Sequence, residues 1–267
     1  IKELSKLQGS KYIQSDLKDS YKRVKIDLES GKKVLFSGTS CQIEGLYRYL
    51  GEKNEQLLTC DLLCKGVPPQ RLFDKYIQFL QKRYNGKIES FNFRDKALGY
   101  FLLSTIELDS KKVMLHGLED TFVKTVGAGY VREACFSCKF TSEDRVGDFS
   151  LADFWHIGEK EPIDTDISNG CSLILVNTVT AEKFLKSLSN SYIEKRTIDE
   201  ARRSQSSALS HPNRRPNDYN EFFKDAEDMK WEKLSKKYLL SKRPLERIRE
   251  ALPKKVERTI VGILKKK

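Results

Sequence analysis

Between residues 33 and 84, two short apolar runs alternate with two helix-patterned stretches, and that order leaves few folds open. Lys33-Val34-Leu35-Phe36 enters the turn Ser37-Gly38-Thr39-Ser40-Cys41, a helix is expected over about 42–50, and Gly51 stops it. Leu57-Leu58-Thr59-Cys60-Asp61-Leu62-Leu63 reads as a second buried strand. Cys64-Lys65-Gly66-Val67-Pro68 is the loop leaving it, and Pro69 is placed to open a helix running to about residue 84. A β-α-β-α order predicts parallel strands joined by a right-handed crossover. Both loops leaving the carboxyl ends then emerge at one end of the sheet, where open α/β sheets place their ligands. Cys41 and Cys64 sit on those loops and are expected to converge.

The flanking sequence adds elements to this core. Ser15 reads as an N-cap, followed by Leu17, Tyr21, Val24 and Leu28 at helical spacing until Gly31. From Lys87 the pattern alternates over 88–93, 101–108 and 112–115, with a polar turn at Asp109-Ser110, which predicts an antiparallel meander. A helix is expected over about 119–126, a strand over 172–177 after the Asn169-Gly170 turn, and a helix over about 181–188. The fold class expected is α/β, in parts α+β: a βαβ-type core with an added antiparallel β-meander and a helical basic C-terminal tail. The division expected is one domain over 1–215 and the tail over 216–267.

Charge is concentrated in that tail. From Lys230 to Lys267, 14 Lys and Arg face 4 Glu and so carry +10 of the chain's +11, leaving about +1 for residues 1–229. The body has no basic stripe with interleaved aromatics, so no nucleic-acid partner is expected. In the tail, Leu245, Ile248, Leu252, Val256 and Ile260 recur at three- or four-residue steps among Arg247, Arg249, Lys254, Lys255 and Arg258. That pattern gives either an amphipathic helix packed on the body or a peripheral helix drawn to anionic lipid. No apolar run reaches the roughly 18 residues of a membrane span and no cleavable leader opens the chain, so a cytoplasmic protein is expected, peripheral to the inner face of the membrane if the tail binds lipid. The chain opens at Ile1 and not at Met, as a fragment or a processed form would.

Six cysteines are too few for a disulfide scaffold in a chain of this size. Cys135-x-x-Cys138 is a turn that aims two sulfurs at one ion or cluster. With Cys41 and Cys64 it supplies four thiolates from three loops, suited to a tetrahedral Zn site or to a cubane iron-sulfur cluster. The bland reading is that the six are small buried apolar residues, and Cys60 and Cys171, within or at the start of apolar runs, are read that way. The Gly38-Thr39 turn opening a helix reads either as a seat for phosphate or as a tight turn with capping. Arg94, Asp95 and Lys96 read as a solvated strand end. His116, His156 and His211 share no ligand spacing.

Several stretches, in order, resemble one family: Gly9-Ser10-Lys11-Tyr12 with Ser15, Gly38 to Gln42, Asp61 to Pro68, Phe93-Arg94-Asp95-Lys96 with Gly99, Cys135-x-x-Cys138-x-Phe140, Arg145 with Gly147-Asp148, and Asp153-Phe154-Trp155. Over roughly residues 9–178 the chain is similar to the beta subunits of coenzyme F420-reducing hydrogenase and formate dehydrogenase, in particular bacterial relatives from polysaccharide gene clusters. The resemblance implies an oxidoreductase relaying electrons between a [4Fe-4S] cluster and FAD. It puts the cluster on Cys41, Cys64, Cys135 and Cys138, and flavin contacts on Ser10, Lys11, Tyr12, Gly38 and Thr39. It implies a ferredoxin-like electron donor, or a ferredoxin-like module upstream of Ile1 together with part of the flavin site. Ser40 stands where the family usually has Pro, Lys65 where it has His, Tyr100 where it has Trp, and His156 where it has Gly. A non-catalytic Zn-stabilised binding module of the same fold is the alternative.

Overall fold

A computed structural model describes residues 9–52, 54–95, 104–167, 170–189 and 191–240. The basic stretch from residue 241, Lys96, Gly99, Tyr100, the expected strand residues 101–103 and Asn169 lie outside the described residues. The protein is mixed α/β, and the chain divides into two compact units.

The first unit combines Ser15–Lys65 with Ala134–Asn213 and carries the expected core. Strands β1 (Val34–Thr39) and β2 (Leu57–Leu62) are parallel, with Val34 opposite Leu57 and Gly38 opposite Asp61, and the helix between them, α2 (Ser40–Leu50), makes the crossover. Two further strands complete a sheet in the order β1-β2-β6-β7: β6 (Phe149–Asp153) runs parallel to β2, and β7 (Ser172–Val176) antiparallel to β6. Side chains alternate between the faces. Leu57 packs with Val24, Leu28 and Leu46 beneath α1 (Ser20–Glu29) and α2. Cys60 packs with Phe149 and Ala181 beneath α5 (Val179–Lys186) on the other face. A last helix, α6 (Ile198–Ser210), sets Ala201 and Leu209 against Phe154 and Leu173.

Ser15 does not cap α1. That helix starts at Ser20 behind a turn in which Ser20 N donates to Leu17 O (2.7 Å), and the Ser15 hydroxyl instead accepts from Gln42 Nε2 (3.3 Å). Helix α2 is closed by Gly51, whose φ of 81° lies in the left-handed region that glycine adopts without strain.

The described residues of the second unit fall within Ile1–Gln14, Gly66–Glu133 and Arg214–Lys267. The meander is present as β3 (Ile88–Asn92), β4 (Thr105–Leu108) and β5 (Lys111–Met114). Helix α3 (Gln70–Tyr84) starts directly after Pro69, and beyond Pro216 the chain is helical as α7 (Tyr219–Asp228) and α8 (Trp231–Leu234). The core is aromatic. Tyr76 stacks on Phe122 at 5.3 Å and lies 5.0 Å from Trp231, whose Nε1 donates to Thr121 Oγ1 (3.0 Å). The helix expected over 119–126 is broken into a 3-10 turn (Gly117–Glu119) and the one-turn α4 (Lys124–Gly127). The Thr121 and Thr125 hydroxyls donate to the carbonyls three residues earlier, and that local bonding competes with the helical ladder. Arg94 and Asp95 are not a solvated strand end either. Both are buried, and Asp95 accepts from Thr105 Oγ1 (2.9 Å) and pairs with Lys112.

Candidate functional site

All four cysteines of the expected ligand set lie in the first unit, and each has some exposure and is in no disulfide. The register of β1 against β2 sets Thr39 opposite Leu62, so Cys41 and Cys64 each follow the carboxyl end of neighbouring parallel strands by two residues. Cys41 lies in the first turn of α2, at the positive end of the helix dipole. Its sulfur is 3.1 Å from Thr39 Oγ1. The loop of Cys64 is pinned on either side: Leu63 N donates to Leu151 O (3.0 Å), and Asn213 Nδ2 donates to Lys65 O. Cys135 lies within a 3-10 turn (Glu133–Ser137) and Cys138 directly after it, where the Cys138 carbonyl accepts from Thr141 Oγ1 (3.2 Å).

Beneath these loops lies a buried ion pair. Arg145 and Asp61 are 1% and 0% exposed, with Nη2 to Oδ1 at 2.6 Å. Arg145 also donates to Ser40 Oγ (2.6 Å), Phe140 O (2.5 Å), Ser142 O (3.4 Å) and Ser150 Oγ (3.1 Å). The second oxygen of Asp61 accepts from Gly147 N at 2.9 Å. Gly147 has to be glycine for this approach, because a Cβ there would stand 2.9 Å from Asp61 N and 3.0 Å from Phe149 O. Asp148 extends the network, accepting from Thr59 N (2.8 Å), Thr59 Oγ1 (2.9 Å) and Thr178 Oγ1 (2.8 Å). Neither Arg145 nor Asp61 was assigned a role by the sequence reasoning. An acidic residue in the middle of the apolar run 57–63 was the available signal, since a buried charge requires a partner.

Of the two remaining cysteines, Cys60 is a core residue and Cys171 is partly exposed at the edge of a core cluster. Cys60 is buried, and burial, with the neighbouring Asp61 carboxylate as a lesser cause, pushes its thiol up to about 11. Cys171 packs beside Phe154 and Leu173, and burial likewise raises its thiol.

The donor set suits a soft metal in kind, four thiols and no hard ligand, and the segments of Cys41 and Cys138 are tied to one network. Among the described residues, however, no three His, Cys, Asp or Glu side chains are gathered closely enough to hold a metal ion. The structure therefore brings the loops to the same end of the sheet without closing the sulfurs on one point.

Of the positions the resemblance gives to flavin, Ser10, Lys11 and Tyr12 belong to the second unit, where Lys11 Nζ donates to Gly9 O (2.9 Å) and Tyr12 meets Phe93 edge-on at 5.7 Å. Gly38 and Thr39 belong to the first. Thr39 N donates to Gln42 Oε1 (3.0 Å), so one amide of the turn already serves as a helix cap.

Among known proteins, the family described as the C terminus of the Coenzyme F420 hydrogenase/dehydrogenase beta subunit matches residues 31–201, a span that includes the four cysteines, Asp61 and Arg145. No curated protein matches the chain.

Proposed function

The chain belongs, by its match to their C-terminal region, to the family of coenzyme F420 hydrogenase/dehydrogenase beta subunits, a family of oxidoreductase subunits, and from that premise we propose that Cys41, Cys64, Cys135 and Cys138 bind a [4Fe-4S] cluster working with FAD. The observation that carries this reading is that none of the four thiols is buried and that the segments of Cys41 and Cys138 bond to one buried network beside the strand leading to Cys64. When bound, such a pair of cofactors connects one-electron carriers with two-electron chemistry. The chain's own residues supply the rest. The four thiolates bind, the α2 dipole favours negative charge at Cys41, and Thr39 Oγ1 can donate to that sulfur. Cys60 does not compete as a ligand, because it is buried within β2 and packed with Phe149 and Ala181. Holding a cluster would require these segments to draw the four sulfurs together, with metal binding coupled to the folding of its site.

Flavin contacts are assigned to Ser10, Lys11 and Tyr12 and to Gly38 and Thr39, and the electron donor to a ferredoxin-like protein or module. In a polysaccharide pathway, attachment of the basic tail to anionic lipid would bring such an enzyme to membrane-linked precursors.

The test is replacement of single cysteines. Cys41→Ser, Cys64→Ser, Cys135→Ser and Cys138→Ser should each sharply lower iron bound after anaerobic reconstitution, whereas Cys60→Ala and Cys171→Ala should not. Loss of iron in Cys60→Ala together with full iron in Cys41→Ser would overturn the ligand assignment.

A further inference from the structure

The four cysteines span positions as far as 97 residues apart, from Cys41 to Cys138, and one side chain bonds to the segments of both of these and to the strand that leads to Cys64. Arg145 does so with its whole guanidinium. Nε reaches Ser150 Oγ, Nη1 reaches the carbonyls of Phe140 and Ser142, and Nη2 reaches Ser40 Oγ and Asp61 Oδ1. A guanidinium carries five N–H donors in a fixed planar fork, and here five acceptors meet them. Ser40 adjoins Cys41, Phe140 lies two residues beyond Cys138, and Asp61 lies three residues before Cys64.

We propose that Arg145, held in place by Asp61, is the positioning residue of the four-cysteine site: its fork sets the Cys41 and Cys138 loops against the end of β2. This rests on the cluster reading above for its purpose, but the geometry it assigns exists before any metal binds. Asp61 fixes the fork with one oxygen and, through Gly147 N, anchors the chain leading into β6 with the other. A lysine at 145 keeps the charge and can still meet Asp61, but one nitrogen cannot span Ser40, Phe140 and Ser150 together. The neutral pair Arg145→Met with Asp61→Leu removes both buried charges at once, a change that buried ion pairs often tolerate without unfolding.

The test uses the apoprotein with Cys60 and Cys171 replaced by alanine, treated with a short bis-maleimide and mapped by mass spectrometry. The Arg145 background should give a Cys41 to Cys138 cross-link, and both Arg145→Lys and the Met/Leu pair should largely lose it, because neither holds the two segments together. Protection of β2 amides from hydrogen exchange in the Met/Leu pair should stay as in the parent; if that pair unfolds, Arg145→Lys decides alone. An unchanged cross-link in Arg145→Lys, or none in the parent, overturns the proposal. In reconstituted protein, Asp61→Asn leaves a buried cation and should raise the midpoint potential, while Arg145→Gln leaves a buried anion and should lower it. A purely structural role would not produce such opposed shifts, and shifts of one sign would count against the assignment. If the cross-links behave as expected but the parent takes up no iron, the cluster reading fails and the positioning role stands.

Discussion

Gly147→Ala is the perturbation whose cost the structure specifies most closely. The new Cβ would lie 2.9 Å from Asp61 N, 3.0 Å from Phe149 O and 3.1 Å from Asp61 Oδ2, and two of these atoms are backbone within paired strands. None is the flexible end of a surface side chain, so β2, β6 or the Asp61 carboxylate has to move. Overpacking of this kind costs about 1–3 kcal/mol. Moving the carboxylate also stretches the 2.9 Å bond from Gly147 N, and a hydrogen bond to a charged group contributes about 1.5–3 kcal/mol. The two losses share one displacement and do not add fully, so about 3 kcal/mol is expected. The comparison is Gly127→Ala, where a Cβ meets nothing within 4 Å and the change should be neutral or stabilising by up to about 1 kcal/mol. Native-state hydrogen exchange on peptides covering β2 and β6 reads the cost in the unit concerned. A loss below about 1 kcal/mol for Gly147→Ala, on the scale of an ordinary surface change, would refute the claim that this glycine is required by the Asp61 contact.

The Cys60 thiol gives a pH test. Its folded value near 11 exceeds its ordinary value of 9.0, so the stability it contributes is complete below about pH 9 and is lost as pH climbs through 11. Cys60→Ala should flatten that part of an alkaline denaturation curve, and an unchanged curve would count against the raised thiol. His156 adopts φ 64°, in the left-handed region where relatives are expected to have glycine. His156→Gly should therefore raise the urea midpoint by the equivalent of up to about 1 kcal/mol, and a lowered midpoint would show that the contact of His156 Nδ1 with Glu159 (2.8 Å) outweighs the backbone strain.

The βαβ core was legible because its strands are compact apolar runs closed by Gly31, Gly51 and Pro68, and local chemistry and burial agree there. Helix α6 was missed for a physical reason. Its buried residues are Glu200, Ala201, Ser204, Gln205, Ala208 and Leu209, with Leu209 the one large apolar side chain among them, so no apolar stripe marks it. The Thr197-x-x-Glu200 capping box, with Thr197 N donating to Glu200 Oε2 at 3.0 Å, was the readable sign. Ser15 failed as a cap because Gln42, 27 residues away, claims its hydroxyl. The Cys41 and Cys64 loops were placed by topology and the Cys135-x-x-Cys138 turn by its spacing, but the Arg145–Asp61 pair joins residues 84 apart, and no local pattern encodes such a partner. What the sequence did carry was the unusual acid inside β2, which only the fold explains.

The ligand assignment proposed above puts an iron-sulfur cluster on Cys41, Cys64, Cys135 and Cys138. Quantifying iron, acid-labile sulfide, zinc and flavin together in protein purified without oxygen tests it most directly. Roughly four iron and four sulfide per chain are expected, falling sharply in Cys41→Ser. About one zinc per chain with no sulfide, lost in the same variant, would contradict it and identify the four thiols as a structural zinc site.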